Sequence, residues 1–83
     1  MKNFVKLLVR SGEYEDYSYH VISGDLSEKE AVTTAIENES RGTLEWEDDD
    51  KDAAYDLFGE IYVCVSRVER ISDEDADVLL KYL

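Results

Sequence analysis

The residues of this chain that could do chemistry are carboxylates gathered in one short stretch. Eight of the sixteen residues from Glu45 to Glu60 are acidic, and Lys51 is the only base among them. The eight are Glu45, Glu47, Asp48, Asp49, Asp50, Asp52, Asp56 and Glu60. Such a cluster can bind a cation or imitate the phosphates of a nucleic acid. The formal net charge is -12 over 83 residues, so the cluster lies in an already acidic protein.

Phosphate imitation depends on the spacing of these acids. If Thr43 to Asp49 is extended, Glu45, Glu47 and Asp49 share one face, about 6.6 Å apart. That spacing is similar to the step between phosphates and lies within a Debye length, so the row acts as one field. We expect the row, continued by Asp48, Asp50 and Asp52, to occupy the Lys/Arg channel of a nucleic-acid-binding protein, with Trp46 or Tyr55 as an anchor. The alternative is a solvated edge strand and loop, kept charged against aggregation.

A metal site is not expected in this segment. Asp48, Asp50 and Asp52 alternate as in a calcium loop, but the EF-hand pattern needs glycine where Ala53 stands and glutamate where Gly59 stands. The pattern therefore disfavours tight calcium binding and leaves weak, nonspecific cation binding open, and we expect no dedicated metal site and no cofactor.

The two classical catalytic residue types occur once each. His20 has the same strand parity as Asp16 and Ser18, which predicts a solvent-facing ring without an orienting partner. Cys64 lies among apolar residues, which favours a small buried side chain over a reactive thiolate. We therefore expect no catalytic residue and no enzymatic activity.

Composition indicates one compact domain, residues 1–83, since the hydrophobic fraction is 43% and the aromatic fraction 11%. A single cysteine excludes an internal disulfide and suits a cytoplasmic protein. No segment approaches the roughly 20 apolar residues of a membrane span. The anionic surface disfavours acidic lipid and direct binding to nucleic acid.

The first half of the chain predicts a hairpin followed by a helix. Phe4–Arg10 and Tyr14–Ile22 alternate apolar and polar residues around a Gly12 turn. Ser27 and Glu30 match a capping box that starts a helix, which ends near Gly42. Its buried stripe is Ala31, Val32, Ala35 and Ile36.

The second half predicts strand, short helix, strand and helix. The strands are Thr43–Glu47, with Leu44 and Trp46 inward, and Ile61–Val68, whereas Lys51–Phe58 reads as a short helix capped by Asp50. Ser72 caps a last helix, with a buried stripe of Ala76, Leu79, Leu80 and Leu83. The fold class is therefore α+β, in the order β-β-α-β-α-β-α, with a small, mostly antiparallel sheet and helices packed on one face.

In size, acidity and lack of catalytic residues, the chain resembles small phage-encoded inhibitor proteins, including anti-CRISPR proteins and acidic DNA mimics. The resemblance is carried by the overall charge and by Glu45 to Asp52. It implies a non-enzymatic inhibitor that acts in the cytoplasm of a host bacterial cell. Its partner would be a basic nucleic-acid-binding protein or ribonucleoprotein of a host defence complex.

Two further interpretations stay open. The chain could be a small acidic structural or adaptor protein whose charge serves solubility or salt adaptation. Tyr14 and Tyr17, placed among Glu13, Glu15 and Asp16, could form an aromatic anchor in an acidic rim.

Overall fold

Five strands form one antiparallel sheet, and two helices accompany it. The strands are β1 (Lys2–Ser11), β2 (Tyr14–Ser23), β3 (Glu45–Trp46), β4 (Ala53–Tyr55) and β5 (Ile61–Ile71), and the helices are α1 (Glu28–Ser40) and α2 (Asp73–Leu80). The spatial order is β2-β1-β5-β4-β3. This computed structural model describes residues 1–40, 43–56 and 60–82. The α+β class and the antiparallel sheet are confirmed.

The predicted N-terminal hairpin is confirmed, and both of its strands are longer than predicted. β1 and β2 pair without a break from Lys2↔Ser23 to Ser11↔Tyr14. Gly12 has a φ of +61° at the first central position of the two-residue loop, where a type II′ turn requires a left-handed residue. Alternation along β1 then sends Val5 and Leu7 to one face, where both are fully buried.

The core lies between that face of the sheet and α1. The predicted helix stripe is confirmed, because all four of its residues are buried in one cluster with Val5, Leu7, Ile22, Ala54 and Val63. The capping box is also confirmed. Ser27 Oγ accepts from the Glu30 amide at 3.1 Å, and Glu30 Oε1 accepts from the Ser27 amide at 3.3 Å.

The short helix predicted for Lys51–Phe58 is wrong where the structure describes it. Ala53–Tyr55 is instead the strand β4, paired with β5 on one side and β3 on the other. Ala53 and Ala54 are buried there, so sheet pairing and burial override the helical propensity of alanine. Some predictions concern residues outside the described part of the chain: Arg41, Gly42, Leu57, Phe58, Gly59 and Leu83.

Within the described chain, no residue of α2 belongs to the cluster under α1. The Ser72 cap is confirmed, since Ser72 Oγ accepts from the Asp75 amide at 3.1 Å. Ala76 is buried, but Leu80 is 56% exposed, so the predicted stripe is wrong at Leu80. Packing of both helices on one face stays a prediction.

Neither α1 nor α2 combines the length and the apolar character that crossing a bilayer demands.

Candidate functional site

The acidic segment is the tip of the β3–β4 hairpin. Glu45 pairs with Tyr55 and Trp46 with Ala54, and β3 ends there. The Glu47 amide then donates to the Ala53 carbonyl at 2.9 Å, which closes the loop. The strand therefore does not continue to Asp49, so the extended conformation that a row from Glu45 through Asp49 requires is not formed.

The side chain of Asp48 stabilises the turn in this loop. Asp48 Oδ1 accepts a hydrogen bond from the Asp50 amide at 2.9 Å, the pattern of an Asx turn. Lys51 follows with a φ of +56°, a left-handed conformation that non-glycine residues adopt infrequently. Asp48 has a structural role here, whereas Asp49 and Asp50 project from the turn into solvent.

The loop contacts the first turns of α1. The Thr33 hydroxyl donates to the Lys51 carbonyl at 3.2 Å, and Lys29 Nζ lies 3.9 Å from Asp50 Oδ1. A groove of about 340 Å³ runs between helix and loop. Its acidic lining comes from two elements: Glu30 and Glu37 of α1 and Asp49 and Asp50 of the loop. Lys29 and Lys51 also line the groove, so the acids outnumber the bases by two. Sequence reasoning missed the two helix acids because their approach to the loop depends on the tertiary fold.

Two other predicted site residues lie on the opposite face of the sheet from α1. They are Glu47 and Tyr55, and their position is fixed relative to Tyr62 of β5. Tyr62 lies next to the buried Val63 in β5, so its side chain is on the face of the sheet opposite α1. Glu47 reaches that face, because its Oε2 accepts from the Tyr62 hydroxyl at 2.9 Å. This bond to the carboxylate, reinforced by partial burial, raises the pKa of Tyr62 to about 12. Tyr55, paired opposite both Tyr62 and Glu45, is 37% exposed on the same face.

Trp46 is half-buried and packs against the core, so it stabilises the hairpin. This position leaves Tyr55 as the more exposed of the two expected anchors. The structure thus brings Asp49 and Asp50 together with α1, and separates them from Glu45 and Glu47.

The loop keeps its negative charge. In the part of the chain that the structure describes, Asp50 is the only acid from Glu45 to Asp52 that forms an ion pair. That pair is long and its side chains are 71% and 73% exposed, so it contributes little. Of the 21 acidic residues, 18 are exposed. Across the described residues, no group of three or more His, Cys, Asp or Glu side chains is arranged to hold a metal ion.

His20 does not face solvent as predicted. It pairs opposite Val5 in the sheet, on the face that α1 covers, and its side chain is 18% exposed. His20 Nε2 lies 3.1 Å from Glu39 Oε2 of α1 and 3.0 Å from Ser18 Oγ. The Ser18 hydroxyl donates to the same Glu39 oxygen at 2.7 Å. Ile22, apolar and of the same parity as His20, was the sequence signal for this orientation.

The Ser18, His20 and Glu39 side chains do not have the geometry of a catalytic triad. In a triad, the serine and the acid bind different ring nitrogens, so that the histidine can carry a proton between them. Here both contact Nε2. The cluster therefore acts as a polar connection between β2 and α1.

Cys64 is half-buried in β5. Burial raises the pKa of its thiol, which disfavours the reactive thiolate.

Models of protein families, curated proteins and solved structures yield no match to this chain.

Proposed function

We propose that this chain is a non-enzymatic inhibitor that docks its acidic groove on the Lys/Arg surface of a nucleic-acid-binding protein. The observation that supports this proposal is the acidic lining of the groove, shared by the hairpin loop and α1. Acids from two separate elements face one concave surface, where four carboxylates outnumber the two lysines, Lys29 and Lys51, that also line it. A concave acidic surface is complementary to exposed lysine and arginine side chains.

The loop is suited to binding because its shape is held before a partner arrives. The Asx turn at Asp48 and the bond from Thr33 to the Lys51 carbonyl constrain the backbone that carries Asp49 and Asp50. A preorganised loop loses less conformational entropy on binding. Long-range attraction between an acidic and a basic surface also speeds association, and this effect weakens as salt screens it.

The finer target follows from the resemblance to small acidic phage inhibitors. A host defence complex has to bind nucleic acid through basic channels, and an acidic protein that fills such a channel excludes its substrate. Under this proposal the chain binds a protein or ribonucleoprotein, does not bind nucleic acid itself, and acts in the bacterial cytoplasm.

The test is capture from bacterial extract followed by competition with duplex DNA. The immobilised chain should retain a nucleic-acid-binding protein, and DNA should displace it. A variant carrying Asp48→Asn, Asp49→Asn and Asp50→Asn should lose most of the binding at low salt. Asparagine can still accept the hydrogen bond that holds the turn, so the backbone should be preserved.

A matched control removes the same charge elsewhere. Glu74→Gln, Asp75→Asn and Asp77→Asn are exposed positions of α2, away from the groove. This triple variant should keep most of the affinity. Equal losses in both triple variants would show that only net charge matters, and unchanged affinity in the loop variant would exclude docking through the groove.

A second candidate function is that of an acidic structural or adaptor protein. The observation in its favour is that exposed acids occur on both helices and on β2, and are not confined to the groove. A surface of this kind suits solubility or salt adaptation. Dependence of folding on molar salt would favour this candidate over the inhibitor.

A further inference from the structure

The two edges of the sheet differ strongly. The β3 edge is two residues long, which is a common way of preventing edge-to-edge pairing. The β2 edge is ten residues long and lacks proline, and its register with β1 is regular throughout. In the described sheet β2 pairs only with β1, so one whole side of this strand is available.

The hairpin geometry identifies which backbone groups point outward. Ser11 and Tyr14 close a two-residue loop, so they form a hydrogen-bonded pair and the pairs then alternate along the ladder. Residues Glu15, Tyr17, Tyr19 and Val21 therefore direct their backbone N–H and C=O groups away from β1. One contact supports this assignment, because the Tyr17 amide donates to Asp16 Oδ1 at 2.8 Å.

The side chains of this edge suit an extended basic segment. Tyr17 and Tyr19 are 49% and 42% exposed on the face opposite α1, where they can pack against apolar side chains of an added strand. Glu13 and Asp16 are exposed at the turn end, where they can pair with lysine or arginine. Glu15, also exposed there, is already paired with Arg10 at 2.9 Å. A second copy of this chain is a poorer match, since each copy carries a formal net charge of -12.

We propose that the outer edge of β2 is a strand-addition site for an extended, lysine- or arginine-bearing segment of a partner protein. The added strand extends the sheet to a sixth strand through main-chain hydrogen bonds. Asp16 releases the Tyr17 amide to the incoming carbonyl, and its carboxylate becomes free to pair with a basic side chain. This site lies on β2 and does not depend on the acidic groove of the proposed function.

A designed peptide can test the site directly. The probe is a fluorescent peptide of about ten residues that alternates valine and lysine, matching the length of a long strand. Its control replaces each lysine with glutamate. The lysine peptide should bind the full chain with a measurable change in anisotropy, and the glutamate peptide should not bind.

A pair of variants separates strand addition from general charge attraction. Tyr19→Pro removes an outward N–H group and leaves the net charge unchanged, and proline is tolerated at such edge positions. Tyr19→Val loses the same ring but keeps the N–H group. We expect Tyr19→Pro to bind the lysine peptide about tenfold more weakly than Tyr19→Val, equivalent to one lost hydrogen bond. The loop triple variant should bind the peptide as the unchanged chain does, which separates this proposal from the proposed function.

Amide exchange of the unchanged chain gives a readout that does not depend on a variant's folding. Peptide binding should slow exchange at Tyr17, Tyr19 and Val21, since their amides gain partners. Equal affinities of the two Tyr19 variants, or protection confined to the 48–52 loop, would overturn the proposal. So would a stable dimer whose β2 edges are already protected in the absence of peptide.

Discussion

The Tyr62 hydroxyl donates a 2.9 Å hydrogen bond to the Glu47 carboxylate and so joins the central strand β5 to the acidic hairpin. The residues are 15 positions apart in the chain, and β4 lies between β5 and β3, the strand that Glu47 directly follows. The bond holds one acid of the segment against the face opposite α1, while Asp49 and Asp50 lie beside α1. The hairpin thus presents acids on two sides.

The Tyr62 bond predicts a measurable titration. Glu47→Gln should lower the Tyr62 pKa from about 12 toward its ordinary value of 10.0, because the Tyr62 hydroxyl loses its hydrogen bond to a carboxylate and the neutral amide no longer repels a phenolate. Ultraviolet absorbance or tyrosine-selective NMR would follow the change. Glu45→Gln is the control, since Glu45 makes no bond to Tyr62 and should leave its pKa unchanged.

The same bond contributes a pH-dependent part of the stability. The folded pKa of Tyr62 lies above its ordinary value, so the contribution is complete below about pH 10 and is lost as the pH rises toward 12. Chemical unfolding should therefore show that, at alkaline pH, the free energy of unfolding falls more steeply with pH for the unchanged chain than for the Glu47→Gln variant. Identical alkaline slopes would contradict a role for this bond in folding.

The polar cluster of Ser18, His20 and Glu39 should stabilise the contact between β2 and α1. Ser18→Ala removes the donor of the 2.7 Å bond to Glu39 and leaves a half-buried carboxylate less well satisfied. We expect a loss of about 1–3 kcal/mol in the free energy of unfolding, measured with urea. Ser66→Ala, at an exposed position of β5, should change stability by less than about 0.5 kcal/mol. Equal effects would show that the cluster does not stabilise the fold.

Truncation of two leucines to alanine should lower the free energy of unfolding by very different amounts. Leu7 is 0% exposed in the core, so Leu7→Ala should cost about 2–5 kcal/mol. Leu80 is 56% exposed on α2, so Leu80→Ala should cost less than about 1 kcal/mol. Urea unfolding of both variants provides the comparison. A large loss of stability in Leu80→Ala would instead support the buried stripe that the sequence predicts.

Salt should stabilise the chain modestly and should not be required for folding. Raising the ionic strength from about 0.01 to 0.15 M shortens the Debye length from about 30 to 8 Å, which screens repulsion among the exposed acids. We expect a higher Tm by circular dichroism over this range, from a chain that is already folded at its lower end. A chain that stays unfolded until molar salt is added would support the salt-adaptation alternative.

Local sequence signals predicted several elements correctly. The Gly12 turn, the Ser27–Glu30 capping box and the apolar stripe of α1 depend on neighbours within four residues of one another, so the chain itself encodes them. The class of the fold follows from these elements and from alternation in the long strands.

Other features were decided by contacts between distant residues. Ala53–Tyr55 forms a strand because β3 and β5 flank it, although its sequence favours a helix. Both faces of β2 carry residues that could be buried. The face with Ile22 and His20 is the one covered by α1.

The amount of negative charge that this protein carries follows from its residue types alone. The location of that charge depends on the fold, because the hairpin reverses at Asp48 and contacts α1. Acids adjacent in the chain were thereby divided between two faces, and Glu30 and Glu37 were brought beside Asp49 and Asp50.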